Sequence, residues 1–71
     1  MKDNKPAHFE LVEYQDKHDV TMYEVDVVMT DGARECMLSG KERKAAARSQ
    51  GMHMASVCNC KLRDMTEEAK S

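Results

Sequence analysis

Alternation of apolar and polar residues predicts β-strands on both sides of one central helix. Residues 22–30 (MYEVDVVMT) have the two-residue period of a strand that is buried on one face. Residues 9–14 (FELVEY) have apolar side chains at both parities, which predicts a strand that carries a bulge or is covered on two sides. The two segments predict the first half of a sheet.

Asp31 and Gly32 predict a two-residue hairpin turn after the second strand, because both central positions of such a turn need positive φ. Residues 33–38 (ARECML) then return antiparallel to the second strand. The expected register pairs Val25 with Leu38 and Val27 with Cys36. The core face of this hairpin contains Tyr23, Val25, Val27, Cys36 and Leu38, and the solvent face contains Glu24, Asp26 and Glu35.

Ser39 and Glu42 match a capping box, which predicts a helix over residues 40–50 that ends at Gly51. Residues 53–63 (HMASVCNCKLR) alternate again and predict a closing strand. The resulting order, β-β-β-α-β, predicts an α+β fold. Its sheet has three or four antiparallel strands, and one helix packs on one face of the sheet.

The length of 71 residues limits the chain to one small domain with a thin core. We expect this domain to span residues 8–65, between disordered tails at 1–7 and 66–71. Apolar runs are too short for a transmembrane helix, and the N-terminus lacks a signal-peptide pattern. The sequence therefore predicts a cytoplasmic protein without membrane contact.

Charge is distributed unevenly along the chain. Residues 1–35 contain four Lys and Arg against nine Asp and Glu, whereas residues 36–71 contain seven against four. Such polarity is found in small proteins that contact a charged macromolecule, and also in ordinary solvated surfaces. The candidate partner-binding residues are the basic group Lys41, Arg43, Lys44 and Arg48 and the acidic group Glu24, Asp26 and Glu35.

Three cysteines in a chain without a signal peptide indicate reduced thiols rather than a disulfide framework. A zinc site would draw its ligands from Cys36, Cys58, Cys60 and a histidine such as His53. The spacing opposes such a site, because Cys-x-Cys on a strand directs two thiols in parallel, whereas structural zinc sites use cysteines that converge from a turn. We therefore expect buried thiols, no metal and no cofactor, with an intermolecular disulfide or a zinc-stabilised domain as the alternatives.

The chain has no motif that indicates catalysis. A glycine-rich phosphate loop, a nucleophile elbow and a metalloprotease helix motif are all absent from the sequence. A chain of this length also has little material from which to build a pocket that tunes catalytic groups. The sequence therefore predicts a protein that is not an enzyme.

Two resemblances suggest functions. The segments FELVEY, YEVDVVMTDG and SGKERKAAA resemble the strand, strand and basic helix of a double-stranded RNA-binding domain. That resemblance implies RNA or DNA binding through the basic helix at 40–50. It covers about half the chain, and this chain lacks the N-terminal helix and the long final helix of that family.

The whole pattern over residues 9–63 resembles small phage-encoded inhibitors, including anti-CRISPR proteins and inhibitors of host RNA polymerase. This resemblance implies a non-enzymatic protein that docks on a host nucleoprotein complex in the host cytoplasm. A protein partner is thus expected, with direct nucleic-acid binding as the alternative. The thin core and open strand edges also predict a homodimer through an edge strand.

Overall fold

The computed structural model of the chain describes residues 4–68 and confirms the α+β class and the β-β-β-α-β order. The elements are β1 (Pro6–Gln15), β2 (Thr21–Met29), β3 (Arg34–Lys41), α1 (Lys44–Val57), β4 (Leu62–Asp64) and α2 (Met65–Glu68). The four strands form one sheet in the order β3-β2-β1-β4. Helix α1 packs on one face of this sheet, and α2 is a single turn that follows β4.

The sheet is mixed, so the prediction of an entirely antiparallel sheet is wrong for its last strand. β1 pairs with β2 and β2 pairs with β3 in the antiparallel sense, whereas β4 lies parallel to β1. The reason is the crossover through α1, which returns the chain to the end of the sheet where β3 began. β4 therefore runs in the same direction as β3, and hence as β1.

The predicted tails overlap with ordered elements. β1 already begins at Pro6, and Thr66 in α2 is 4% exposed. The assignment of residues 6–7 and 66–68 to tails is therefore wrong. Residues 1–3 and 69–71 of the predicted tails lie outside the described residues.

The predicted two-residue hairpin turn is also wrong. Gly32 N donates to Met29 O at 2.9 Å and Met29 N donates to Ala33 O at 2.8 Å, so the loop contains three residues. Gly32 has a φ of 92°, which is the left-handed conformation that the last position of a three-residue hairpin loop requires. The additional loop residue shifts β3 by one position, so that Asp26 pairs with Cys36 and Val27 with Glu35.

A bulge between Val25 and Asp26 then restores the predicted pairing of Val25 with Leu38. The shift reverses the predicted faces of two residues on β3. Cys36 is exposed on the sheet face opposite α1, rather than buried in the core. Glu35 lies opposite the buried Val27 and so belongs to the α1 side of the sheet, rather than to the acidic group on the other face.

Helix α1 begins later than the capping box predicts. Ser39 lies within β3, and the residue before the helix is Arg43, whose side chain makes no capping hydrogen bond. The strand extends to Lys41 because Lys41 pairs with Tyr23, and ladder pairing with β2 outweighs a local capping motif.

The helix also extends past Gly51 to Val57, so the prediction of a strand over 53–63 is wrong except at Leu62–Asp64. Its end is a Schellman motif, in which Asn59 has a φ of 56° and Cys60 N donates to Ala55 O at 2.7 Å. Asn59 is therefore the sequence signal that ends the helix. Within the described part of the chain, no helix is long and apolar enough to cross a membrane.

The core lies between β1, β2 and the inner stripe of α1. Its buried residues are Phe9, Leu11, Val25, Val27, Ala47 and Ala55. Ala47, Gly51 and Ala55 follow each other at helical spacing and let the helix approach the sheet closely. A Cβ at Gly51 would lie 3.0 Å from Val25 Cγ2 and 3.2 Å from Leu62 Cδ1. Gly51 is thus a packing residue in the middle of the helix.

Candidate functional site

The sheet face opposite α1 gathers six ionisable side chains, and we call it the outer face. Strand pairing places them together, because Glu10 lies opposite Asp26 and Asp26 lies opposite Cys36. The outer face is defined by His8, Glu10, Glu24, Asp26, Arg34 and Cys36. It includes two of the three predicted acidic residues, Glu24 and Asp26.

Arg34 links the carboxylates of the outer face. Its Nη2 donates to Glu10 Oε1 at 2.6 Å and to Asp26 Oδ2 at 3.2 Å. His8 Nε2 lies 2.8 Å from the other oxygen of Glu10, whose side chain is only 9% exposed. Burial raises the pKa of Glu10, but the hydrogen bonds from Arg34 and His8 outweigh burial and hold that pKa below its ordinary value. Glu10 is therefore ionised and fully engaged inside the protein.

The pKa of Glu24 is raised towards neutrality by its neighbour Asp26. A hydrogen bond to Asp26, together with burial and the neighbouring negative charge, raises the pKa of Glu24 to about 7. Asp26 Oδ1 is buried and no other donor among the described residues reaches it. A protonated Glu24 can donate a hydrogen bond to Asp26 and carries no charge, so the outer face then has two negative charges instead of three.

Glu24, Asp26 and Cys36 also have the ligand atoms of a metal site, all within 4.8 Å of one another. The positive guanidinium of Arg34 contacts Asp26 directly and opposes a second cation at this position. A proton on Glu24 also reduces the negative charge that would attract a metal ion. The group is therefore better explained as a compensated acid pair beside an arginine than as a metal centre.

The structure does not bring together the cysteines that the sequence offered as zinc ligands. Cys36 lies on β3, at one end of the strand order, and β2 and β1 separate it from the β4 end. Cys60 follows α1, and its Sγ lies 3.3 Å from Pro6 O on β1. Cys58 and His53 are both exposed. Among the described residues these four side chains form no metal-binding group.

The predicted basic group is divided between two elements. Lys41 ends β3 and is half-buried opposite Tyr23. Arg43 precedes α1, Lys44 is its first residue, and Arg48 lies one turn further along the same side. Lys44 Nζ lies 3.5 Å from Asp64 Oδ2, which ties the start of α1 to β4. The structure adds Lys61, which lines the same cavity as Arg48, and we call Arg43, Lys44, Arg48 and Lys61 together the basic surface.

A cavity of about 470 Å³ opens between the second half of α1 and β4. Met52, Ala55 and Leu62 line it with apolar atoms, and Arg48 and Lys61 line it with cations. The remaining lining residues are Ser56, Asn59, Cys60 and Asp64. In the part of the chain that the structure describes, no carboxylate lies within 4.0 Å of Arg48 or Lys61.

Sequence reasoning missed three residues that matter here. Arg34 was assigned no role, because the predicted register placed it away from Asp26. Met52 and Lys61 were not combined with Arg48, because the predicted helix ended before Met52 and the predicted strand contained Lys61. The asparagine signal at Asn59 was available in the sequence and would have extended the helix to include Met52.

Comparison with known proteins identifies no relative of the chain. No protein-family model, curated protein or solved structure matches the chain. The resemblances to RNA-binding domains and to phage inhibitors therefore stay predictions. The structural basis for a function is therefore the geometry of the outer face and of the basic surface.

Proposed function

We propose that the chain is a small, non-enzymatic protein-binding module that docks on an acidic surface of a protein partner through its basic surface. The observation that carries the proposal is the different state of the two charged regions. The carboxylates of the outer face are compensated within the molecule by Arg34, His8 and a proton. The cations Arg48 and Lys61 stay exposed beside an apolar cavity.

The physical reason is electrostatic complementarity. Exposed cations next to apolar side chains attract an acidic partner at long range and then bury apolar area on contact. An internally compensated face exerts little long-range attraction of this kind. We therefore assign docking to the basic surface and give the predicted acidic group Glu24 and Asp26 a structural role.

The finer part of the proposal is that docking inhibits a nucleoprotein complex in a host cytoplasm. It follows from the resemblance to small phage inhibitors. Such complexes present both acidic protein surfaces and nucleic acid, so the basic surface could meet either one. The experiment below is designed to separate these two targets.

The test is affinity capture of the tagged chain from a bacterial lysate, with and without nuclease, read by mass spectrometry. We expect a stoichiometric protein complex that survives nuclease. In a variant with Arg43→Glu and Arg48→Glu, this complex should be lost, because the reversed charges repel an acidic surface.

The matched control carries Lys5→Glu and Lys17→Glu, which changes the net charge equally at two exposed positions, one before β1 and one in the turn between β1 and β2. This control should retain the complex, and both variants should keep the circular dichroism spectrum of the native chain. Recovery of nucleic acid alone, or of ribosomal proteins that disappear with nuclease, would contradict the proposal and favour RNA binding. Equal loss in both variants would show that net charge, and not the basic surface, controls capture.

A further inference from the structure

We propose that the α1–β4 cavity is a binding site for an extended acidic peptide segment that carries one apolar side chain between carboxylates. The inference rests on the proposed function and deepens it by giving the chemistry of the partner segment. In this arrangement the apolar side chain enters the cavity against Met52 and Leu62. The flanking carboxylates contact Arg48 and Lys61.

Charge favours an acidic occupant. Asp64, the one carboxylate among the described residues that line the cavity, accepts hydrogen bonds from Thr66 N and Thr66 Oγ1 and lies 3.5 Å from Lys44 Nζ. Its negative charge is therefore engaged on the protein side. Arg48 and Lys61 are exposed and are left to contact the carboxylates of an incoming segment.

The apolar part of the lining selects a peptide over a nucleic acid. Met52 is 53% exposed, a large apolar side chain whose flexibility suits packing against a variable aliphatic group. None of the described residues that line the cavity is aromatic, so they offer bases no ring to stack on. A phosphate backbone would use the cations but would leave the exposed Met52 uncovered.

Position in the sheet favours an extended segment. β4 is the last strand in the order β3-β2-β1-β4, so one of its edges has no neighbouring strand among the described residues. Lys61, Leu62 and Asp64, which line the cavity, lie at or beside this edge. A peptide that adds to the edge would form main-chain hydrogen bonds there and direct alternate side chains towards the cavity.

The experiment titrates the full, ¹⁵N-labelled chain with the blocked peptide acetyl-Glu-Asp-Leu-Glu-Asp-amide and follows backbone amide shifts by NMR. We expect saturable shifts at Met52, Ser56 and residues 59–62. The affinity should fall as salt rises from 50 to 500 mM, because the contacts to Arg48 and Lys61 are screened. A peptide with Gly in place of Leu should bind about fivefold more weakly, and a peptide with Lys in place of the acids should not bind.

Two uncharged substitutions test the cavity itself. Met52→Ala should weaken the peptide about fivefold, because it removes the exposed apolar contact. Ser56→Trp should abolish binding by filling the cavity, and Gln50→Trp, at an exposed position of the same helix, should leave binding unchanged. Amide spectra of the free variants verify that each remains folded.

The inference is overturned if the peptide causes no shifts at millimolar concentration, or if the shifts lie away from the cavity. It is equally overturned if Met52→Ala and Ser56→Trp bind as the native chain does, or if an RNA oligonucleotide produces the same saturable cavity shifts at lower concentration. A captured protein that still binds Ser56→Trp but not the Arg43 and Arg48 reversal would reject the cavity site and keep the proposed function. Peptide binding in the cavity without any nuclease-resistant complex in the lysate would keep the cavity site and reject the proposed function.

Discussion

Arg34 and Arg48 show how the outer face and the basic surface differ. Arg34 contacts two carboxylates, one of which belongs to the nearly buried Glu10. Arg48 is exposed beside an apolar cavity and has no carboxylate within 4.0 Å among the described residues. The same residue type therefore stabilises the fold in one region and is available to a partner in the other.

Solvent exposure is the physical cause of this difference. A carboxylate that loses water on folding needs hydrogen bonds and an opposite charge, or it takes up a proton. Glu10 satisfies this requirement through Arg34 and His8, and Glu24 satisfies it through a proton. An exposed cation on α1 has no such requirement because water solvates it. Charge density in a sequence therefore does not identify a binding surface until burial is known.

The largest expected effect concerns packing beneath the basic surface. Gly51→Leu should destabilise the domain by about 3 kcal/mol or more, because the new side chain would overlap Val25 and Leu62 and push α1 off the sheet. Chemical denaturation gives the loss. Gln50→Leu, on the exposed side of the same helix, is the control and should change the free energy of unfolding by less than about 0.5 kcal/mol. A loss below about 1 kcal/mol for Gly51→Leu would mean that the packing of α1 on the sheet does not require a glycine at this position.

Exchange of the two arginines for methionine tests the comparison directly. Arg34→Met should cost about 1 to 2 kcal/mol, because it leaves Glu10 buried with less compensation, although Arg34 itself is half exposed and screened by solvent. Arg48→Met should cost less than about 0.5 kcal/mol. Urea denaturation at pH 7 measures both values. An equal loss of unfolding free energy in the two variants would contradict the distinction between the compensated outer face and the exposed basic surface.

The pH dependence of stability tests the raised pKa of Glu24. The pKa of Glu24 is about 7 in the folded protein, above its ordinary value of 4.5, so the unfolded chain releases this proton first. Stability therefore falls as pH rises from 4.5 to 7, and the loss is complete above 7. Glu10 has the opposite sign, because its lowered pKa removes stability as pH falls through the folded value. Maximum stability is expected on the acid side of neutrality.

Glu24→Gln should remove the loss of stability that the native chain shows as pH rises from 4.5 to 7. Its amide can donate to Asp26 at every pH, so the variant should be more stable than the native chain at pH 8 by about 1 kcal/mol. Denaturation midpoints measured from pH 4 to 9 provide the comparison, with Glu13→Gln at an exposed position of β1 as the control. A native profile that is flat between pH 5 and 8 would exclude the raised pKa of Glu24.

The smallest expected effect lies at the rim of the outer face. Tyr14 OH accepts a hydrogen bond from Gly40 N at 3.0 Å, and this contact joins β1 to β3 across β2. Tyr14→Phe should cost about 0.5 to 1 kcal/mol and should speed hydrogen exchange at the Gly40 amide. Exchange at the Phe9 amide, which donates to Lys61 O in the core of the sheet, should change only through global stability.

Local patterns predicted the elements better than they predicted contacts between elements. The alternation in residues 22–30 identified β2 because one face of that strand is buried along its length. The capping pattern at Ser39 and Glu42 was misleading, because β2 offers the same residues a ladder partner. The helix was likewise shortened in the prediction, because Gly51 was interpreted as a helix end, whereas it lies inside α1 and packs against Val25 and Leu62.

The candidate site was predictable only in part, for the same reason. The sequence predicted Lys41, Arg43, Lys44 and Arg48 on one basic helix, and only Lys44 and Arg48 lie in α1, where helical spacing keeps them on the same side. It could not place Lys61 and Leu62 beside Arg48, since that requires the crossover that makes β4 parallel to β1. It also could not show that Arg34 compensates Glu10 and Asp26, since the three-residue turn decides which face Arg34 occupies.

By itself, the sequence determined the α+β class, the element order, the second strand and the uneven distribution of charge. Each of these follows from the period or the composition of a short segment. The tertiary structure alone decided which charges are compensated and which are exposed, and it created the cavity. Compensation and cavity shape depend on register and on the approach of α1 to β4, and a one-residue change in a turn is sufficient to exchange the faces of a strand.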